Sequence, residues 1–588
     1  MFSIIRTFAP ANLNELQKMK RIYTLIALSC MNMIFMHYYC YIGDYMEDVL
    51  LAYSFCYNIY SICFDISALL LVFLLLTRAR FNTAIMLTFI TSWLWSFANV
   101  FYIRFFEQYL TLSAFSFANQ LTDQAVVTSM MAGFQWTDLY YPISLLCFLQ
   151  VYRQTPQKTL SIHQTAVLAF IPLFLYLLCY PTYYIYHITK SDTRGNNELL
   201  RRRVNEIWDT GARNSFPNKT RFDKGSVRML AWEVYDVFHQ FKLQPEQKVA
   251  IDNEVANLQW RVSPYGGNCK AKNVVFLVLE SFLSNPIGMT VEGKEITPYL
   301  NTLIKNDSVY YNARVKPNIT IGESGDGQFI LMTGILPLRG KLTVGEVKDL
   351  TIPALPQLLR KRSSMRYSEI ATPSPPQIWE QVHMNQVYGI DTMYCNRDVL
   401  GPTVDYLNDE QLFTLAMRSP AHMRQPFFSM VLSYSTHQPY REPVDDSFTL
   451  RDETLPKGYK NYLVACHYTD FWLKTYIEDL KRKNVYDNSL IIITADHHAH
   501  LDALGMEGKI AKDLPLLIIN GNMNVQQAWK GEMNQLDIYT TIVDLLGLET
   551  DWHGLGHSIL FPNYENSVTE HAWELSEWII KGKYFNQK

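Results

Sequence analysis

Apolar and polar positions divide this chain unevenly. Long apolar runs crowd into the residues before about 188, and a mixed pattern follows. Five runs stand out: Ile22 to Ile42, Leu51 to Leu76, Thr83 to Phe105, Trp136 to Val151 and Thr165 to Tyr186. Most approach the ~20 residues needed to cross a ~30 Å hydrocarbon layer, so they predict five membrane-spanning helices, the fourth of them short. The first run starts only after twenty mixed residues and others follow it, which disfavours a cleavable signal peptide.

From about 187 to 271 the chain is polar, with apolar residues at helical spacing, as in Leu199, Leu200, Val204 and Ile207, then Leu230, Val234, Val237 and Phe238. That pattern predicts a helical connector near the membrane surface. From Asn273 onward short β-branched runs alternate with helical stretches. The predicted strands are Val274 to Leu279, Val309 to Val315, Tyr367 to Ile370, Phe427 to Leu432, Leu490 to Thr494 and Leu516 to Ile519. Between them lie helix-like segments at Pro298 to Ile304, Leu355 to Arg360, Tyr462 to Lys481 and Leu536 to Leu546. Near-continuous apolar strands alternating with helices imply an α/β domain whose mostly parallel sheet is covered by helices. The expected organisation is a transmembrane bundle of five helices over 1–188, a juxtamembrane linker over 189–271 and an α/β domain over 272–588.

Charge orients these parts. Arg6, Lys18, Lys20 and Arg21 precede the first run, Arg78 and Arg80 lie between the second and third, and Arg153 and Lys158 between the fourth and fifth. The alternate loops carry Asp44, Glu47, Asp48, Glu107 and Asp123, with Arg104 the one basic exception. The positive-inside rule then puts the N-terminus in the cytoplasm, and an odd number of spans puts everything after Tyr186 outside, in or beyond the cell membrane. The Arg201–Arg203 run on that outer side reads as a solvated helix face or as a contact for anionic headgroups. Asp65 falls inside the second run, where it is either a functional acid or one satisfied by a structural partner.

Composition narrows the function. Hydrophobic residues make up 48% and charged residues 18%, and 52 Lys+Arg against 55 Asp+Glu give a net charge of −3. With no large basic cluster, nucleic acid is not an expected partner. Six of the nine cysteines (Cys30, Cys40, Cys56, Cys63, Cys147 and Cys179) lie in the apolar third, and no CxxC occurs, so neither a disulfide framework nor a zinc-thiolate site is predicted.

Working groups of a parallel sheet collect beyond the carboxyl ends of its strands. One predicted strand ends in Glu280-Ser281, another in Asp496-His497-His498-Ala-His500, and a third runs on into Ser433-Tyr-Ser-Thr-His437. A fourth element is the glycine-interrupted turn Gly322-Glu323-Ser324-Gly325-Asp326-Gly327-Gln328-Phe329, which opens an apolar helix. A serine there is either a nucleophile facing a phosphate at a helix N-terminus or an ordinary N-cap.

Taken in order, these runs, with Thr333-Gly334 and the Leu536-Asp537-Ile538 to Gly547 and Gly554 to Leu560 segments, resemble the sulfatase/alkaline-phosphatase superfamily. Five spans before such a domain resemble, within it, the lipoteichoic acid synthases and the lipid A phosphoethanolamine transferases. The resemblance implies one divalent metal held by Glu280, Ser324, Asp496 and His497, with Ser324 the nucleophile where the family usually has threonine. Manganese is the first expectation, and magnesium and zinc also suit one imidazole with oxygen donors. His437 matches a histidine that contacts the substrate phosphate or assists the leaving group, with His498 and His500 as secondary candidates. Trp379 matches the aromatic of a Trp-Asn-Arg motif, but here the run is Trp379-Glu380-Gln381, so the basic residue for glycerol phosphate is absent. Ser324-Gly-Asp-Gly-Gln also lacks the Cys/Ser-x-Pro-x-Arg pattern of true sulfatases, which argues against a sulfate-ester hydrolase. The expected function is transfer of a phospholipid headgroup, glycerol phosphate or phosphoethanolamine, through a phospho-serine intermediate to a glycan or lipid acceptor. The alternatives are a membrane-bound phosphodiesterase that uses water and a non-catalytic binding module.

Overall fold

The structure of the protein, a computed structural model, describes residues 13–42, 51–106, 134–156, 225–238 and 241–587, with a few isolated positions between these segments and with 340, 363, 377 and 404 excepted. The fifth predicted span lies almost wholly outside the described residues, and the Arg201–Arg203 run lies entirely outside them. The described chain falls into two compact units, one before residue 240 and one from Phe241 onward.

The first unit contains the helices Leu13–Ile42, Leu51–Leu76, Phe81–Phe106, Tyr140–Arg153 and Ser226–Phe238. The expectation of five spans is corrected here. Among the described residues two helices, over Met19–Tyr39 and Phe81–Arg104, are long and apolar enough to cross a membrane. The Leu51–Leu76 helix offers Ser61–Leu76 as its apolar stretch. The fourth run breaks into a 3-10 turn at Trp136–Leu139 and a helix of 14 residues. At 1.5 Å per residue that helix spans roughly 21 Å, short of the ~30 Å hydrocarbon layer.

Two charges that stood out in the apolar runs have structural partners. Asp65 is fully buried, and its carboxylate accepts from the N–H groups of Ser226 at 2.6 Å and Val227 at 3.0 Å. It therefore satisfies two of the unpaired donors at the start of the Ser226–Phe238 helix. The preceding Gly225 has φ +87, and a Cβ there would stand 2.6 Å from an Asp65 oxygen, so the approach requires glycine. Arg104, the exception to the charge pattern, donates to both oxygens of Asp138 at 2.8 and 2.6 Å and to the Tyr39 hydroxyl at 2.8 Å. Both charged side chains are almost fully buried, at 3% and 1% exposure, so Arg104 is neutralised within the unit rather than facing a compartment.

Removing one member of a buried ion pair leaves the other desolvated and unpaired, at a cost of about 3–5 kcal/mol. Asp138→Ala is accordingly expected to lower the melting temperature of the detergent-solubilised protein sharply, and Arg104→Met together with Asp138→Leu to recover most of the loss. An unchanged melting temperature in Asp138→Ala would contradict a stabilising role for this pair.

The second unit is the α/β domain. Its strands are β1 (Asn273–Leu279), β2 (Thr290–Val291), β3 (Lys294–Glu295), β4 (Tyr310–Lys316), β5 (Tyr367–Ala371), β6 (Thr392–Tyr394), β7 (Phe427–Leu432), β8 (Ser489–Ala495), β9 (Leu514–Ile519) and β10 (Met533–Asn534). Eight of them form one sheet in the order β10-β4-β9-β8-β1-β7-β5-β6, while β2 and β3 form a separate antiparallel pair. Within the sheet β9 is antiparallel to both neighbours, and the other pairings are parallel. All six strands predicted from the apolar runs are present, with ends within two residues of expectation. The short β6 and β10 add the edges.

Every residue of β1, β8 and β9 is buried, as a sheet covered on both faces requires. Each buried Val, Leu or Ile contributes roughly 1.5–3 kcal/mol, so this core can carry polar and charged groups at its strand ends. Register places those groups. Leu279 is paired with Ala495, and Val278 with both Thr494 and Leu432, so Glu280, Asp496 and Ser433 emerge side by side at the carboxyl ends of β1, β8 and β7.

Candidate active site

Three parallel strand ends and one helix start build the site. Glu280 follows β1, and Asp496 and His497 follow β8. Ser324 lies in the first turn of the Glu323–Thr333 helix, whose first turn also holds Glu323 and Asp326. The helix reaches the strand ends because Gly327 has no side chain: a Cβ there would stand 2.2 Å from the Asp496 carbonyl oxygen and 2.9 Å from its Cα. Backbone cannot yield as a flexible side chain can. Gly327→Ala is therefore expected to destabilise the domain by about 1–3 kcal/mol through overpacking. It should also weaken divalent-metal binding at least tenfold by shifting Asp496, as measured by calorimetric titration. Wild-type metal affinity in this variant would count against the close approach.

The donor atoms converge. One ligand atom each from Glu280, Asp496 and His497 lies within 4.8 Å of the others, and all three residues are buried. His497 Nε2 stands 3.1 Å from Glu280 Oε1, 3.6 Å from Asp496 Oδ2 and 3.2 Å from Ser324 Oγ. The Ser324 hydroxyl also donates to Glu280 Oε2 at 3.3 Å, and this serine is half-buried, leaving it open to a substrate.

Surrounding bonds hold each group. Asp496 Oδ1 accepts from the Ser281 and His497 N–H groups at 2.9 and 2.8 Å, and Ser281 Oγ donates to Glu280 Oε1 at 2.7 Å. Gln535, fully buried, donates to the Asp496 carbonyl at 2.6 Å. The Glu280 N–H donates to Ser433 Oγ at 2.9 Å, and Thr436 Oγ1 donates to the Glu280 carbonyl. His497 Nδ1 lies 2.8 Å from the His498 carbonyl. A proton on Nδ1 makes that bond, so Nε2 is the nitrogen that can exchange its proton for a metal ion.

Electrostatics fits a cation at the centre of this cluster. Burial, and then the negative charge of Glu280, pushes the Asp496 carboxyl up to about 7. Burial also opposes charge on His497, yet Asp496 and Glu280 outweigh it and hold the imidazole well above its usual range. Burial would raise Glu280 too, but the charge and hydrogen bond of His497 prevail and keep it below the carboxylate range. Two buried carboxylates beside one imidazole call for positive charge between them, from a proton or a metal ion. Oxygen donors with one imidazole suit magnesium, manganese or zinc, so the residues present fit a divalent ion.

The remaining predicted residues are placed as follows. Trp379 lies over the Ser324 turn: a Cβ on Gly325 would be 3.3 Å from its indole. Gln381, which stands where the motif would have arginine, is buried; it exchanges hydrogen bonds with Gln328 at 3.3 Å and donates to Asn385 at 2.8 Å. His437 stacks on Tyr434 with ring centroids 5.0 Å apart and adds to the lowering of the Glu280 carboxyl. His498 is half-buried, its Nδ1 lying 3.1 Å from the Ala499 carbonyl. His500 is buried and pairs through Nε2 with Glu323 at 3.2 Å.

Sequence reasoning passed over Glu323, Gly327, Thr436 and Gln535. Glu323, Gly327 and Thr436 stood in runs already singled out, but Gln535 carried no local signal. Ser281, Glu323, Trp379 and Glu380 all have positive φ (49, 35, 51 and 53). Non-glycine residues held there cost about 1–3 kcal/mol each, and such strain clusters at functional sites.

Several known proteins are similar to this chain. The Sulfatase family profile matches residues 272–548. Lipoteichoic acid synthase 2 of Bacillus subtilis (strain 168) is 24% identical over 552 residues, covering 86% of this chain and 78% of that protein. Lipoteichoic acid synthase of Staphylococcus aureus (strain USA300) is 25% identical over 528 residues, covering 84% and 76%. Among solved structures, the lipoteichoic acid synthase LtaP of Listeria monocytogenes is similar over 53% of this chain and 81% of its own, at 22% identity and a TM-score of 0.46. The C-terminal periplasmic domain of EcEptC from Escherichia coli covers 50% and 88%, at 18% identity and a TM-score of 0.38. Residues 272–548 thus match the Sulfatase family, and the chain is similar along most of its length to the lipoteichoic acid synthases.

Proposed function

We propose that this protein is a membrane-anchored, metal-dependent phosphotransferase that moves a phospholipid headgroup, through a covalent intermediate on Ser324, to a glycan or lipid acceptor outside the cytoplasm. The observation that carries this reading is the placement of the Ser324 hydroxyl within 3.3 Å of both Glu280 and His497 at a buried donor cluster. Glu280, Asp496 and His497, with Ser324, would hold one divalent ion, manganese in the first instance. When bound, such an ion lowers the cost of a serine alkoxide and neutralises charge on phosphoryl oxygens.

The chain's own residues do the rest. Ser324 Oγ forms a bond to phosphorus as the bond to the diacylglycerol oxygen breaks. The serine proton passes to solvent water and the leaving oxygen takes one from His437, so the first half-reaction leaves His437 deprotonated and one proton in solvent. In the second half an acceptor hydroxyl gives its proton to His437 and attacks phosphorus, and Ser324 leaves as it takes back a proton from solvent water. Trp379, lying over the serine turn, walls the site against water and orients the headgroup. His498 is the secondary candidate for substrate contact, and the buried His500 steadies Glu323 beside the nucleophile.

The apolar helices Met19–Tyr39 and Phe81–Arg104 support a membrane anchor. With the catalytic domain tethered outside a multi-pass anchor, donor headgroups are met at high effective concentration. The lipoteichoic acid synthase relatives support a lipid donor and an envelope acceptor.

The deciding experiment incubates the full chain with mixed-phospholipid liposomes and manganese, then weighs the peptide that contains Ser324. A headgroup-phosphate adduct is expected, and its mass identifies the donor. Diacylglycerol release with no adduct at any time would overturn the covalent route. Release of free headgroup phosphate alone, with every acceptor supplied, would convert the reading to a phosphodiesterase.

A further inference from the structure

We propose that Asp409 is a positioning residue that sets the orientation of His437 by holding the turn that begins at Tyr434. This inference rests on the role given to His437 above.

Asp409 opens the Asp409–Met417 helix, but its side chain does not serve that helix. Asn408 is the cap, accepting from the Gln411 N–H, with Gln411 reciprocating to close a capping box. The Asp409 carboxylate is fully buried and directed instead at the turn that follows β7. Its Oδ1 accepts from two consecutive N–H groups, Tyr434 at 2.7 Å and Ser435 at 3.1 Å. Its Oδ2 accepts from Thr469 Oγ1 at 2.6 Å, on the Lys457–Arg482 helix. Its own N–H donates back to Ser435 Oγ at 3.0 Å. Helix start and turn are thus cross-linked in both directions.

The turn carries that restraint to the imidazole. The His437 N–H donates to the Tyr434 carbonyl at 2.8 Å, and the two rings stack at 5.0 Å and 23°. The other face of this arrangement is already fastened, because Ser433 N–H donates to the Val278 carbonyl at 2.9 Å and Thr436 Oγ1 to the Glu280 carbonyl. Asp409 supplies the anchorage between these points. Burial pushes its carboxyl above the ordinary range against the pull of the hydrogen bonds, so the site keeps a carboxylate where an apolar side chain would be easier to bury.

Without Asp409 two adjacent N–H groups lose their acceptor and the turn can shift. A displacement of about 1 Å at a reacting group costs on the order of 100-fold in rate. The test uses the full chain in mixed-phospholipid liposomes with manganese and follows diacylglycerol release in Asp409→Ala, Asp409→Asn, His437→Ala and the Asp409→Ala/His437→Ala double variant. Residues that act through one another are non-additive. Asp409→Ala is expected to lower kcat about 10- to 100-fold in the wild-type background and less than about threefold when His437 is already alanine. Asp409→Asn keeps an oxygen for the two N–H groups and should rescue most of the rate, with the calorimetric metal affinity unchanged throughout. If Asp409→Ala does not fold, Tyr434→Leu, which removes the ring stacked on both His437 and Tyr406 and keeps the turn's backbone, is scored in the same cycle with the same expectation. Equal losses in both backgrounds overturn the inference while leaving the role of His437 intact. A His437→Ala variant with wild-type turnover overturns that role and the inference with it.

Discussion

Ser324→Ala is expected to abolish both the covalent adduct and headgroup transfer, with a loss on the order of 10⁴-fold or more in kcat. The size follows from chemistry rather than from binding. Alanine removes the hydroxyl oxygen that lies 3.3 Å from Glu280 and 3.2 Å from His497, while the other three donors stay in place. Metal binding should therefore weaken far less than turnover, and the folded domain should persist because Ser324 is only half-buried. Ser324→Thr keeps the hydroxyl and should remain active. Diacylglycerol release from liposomes, with mass spectrometry of the Ser324 peptide, measures both outcomes. An alanine variant that retained more than about a tenth of the wild-type rate would remove Ser324 from the reaction.

Stripping divalent metal is the second large effect. Glu280 and Asp496 are buried side by side, and Asp496 rises to about 7 chiefly because of burial and then because of its neighbour's negative charge. A divalent ion replaces that repulsion with attraction. Chelation should reduce transfer by at least about 10³-fold. It should also destabilise the α/β domain, since a ligand at a thousand times its Kd contributes about 4 kcal/mol to the folded state. Adding back manganese to the chelated protein should raise its melting temperature by several degrees. Asp496→Ala and His497→Ala should each abolish that shift, because each removes one of the three convergent donors. A melting temperature that ignores manganese in wild type would sink the metal assignment, whatever the activity assay reports.

Much of the fold was legible because buried parallel strands are written as continuous apolar runs, and their ends as abrupt polar residues. β1 and β8 could be read in this way together with the acids that follow them. β6 and β10 could not, since strands of three and two residues have too few positions to show a period. Apolar runs alone also misled. An apolar run reads the same whether it meets lipid or protein, and the short fourth predicted span was in fact a turn and a 14-residue helix. Arg104 looked like a charge on the wrong side of a membrane until Asp138, 34 positions away in the chain, proved to neutralise it.

The site divides along the same line. Glu280, Ser324, His437, Asp496 and His497 could be named from the chain because each follows a local pattern, a strand end or a glycine-rich turn, that restricts what such a residue can do. Asp409 and Gln535 could not, because their work is done on segments far away in the chain: Asp409 on a turn 25 residues later, Gln535 on a carbonyl 39 residues earlier. Local backbone preference and burial act over a few neighbouring residues and are written where they act. Strand order, the reversed direction of β9, the pairing of buried charges and the hydrogen bonds that aim a side chain depend on which distant segments share the core. That is settled by packing and by the need to satisfy every buried polar group at once, and no single stretch of this chain contains it.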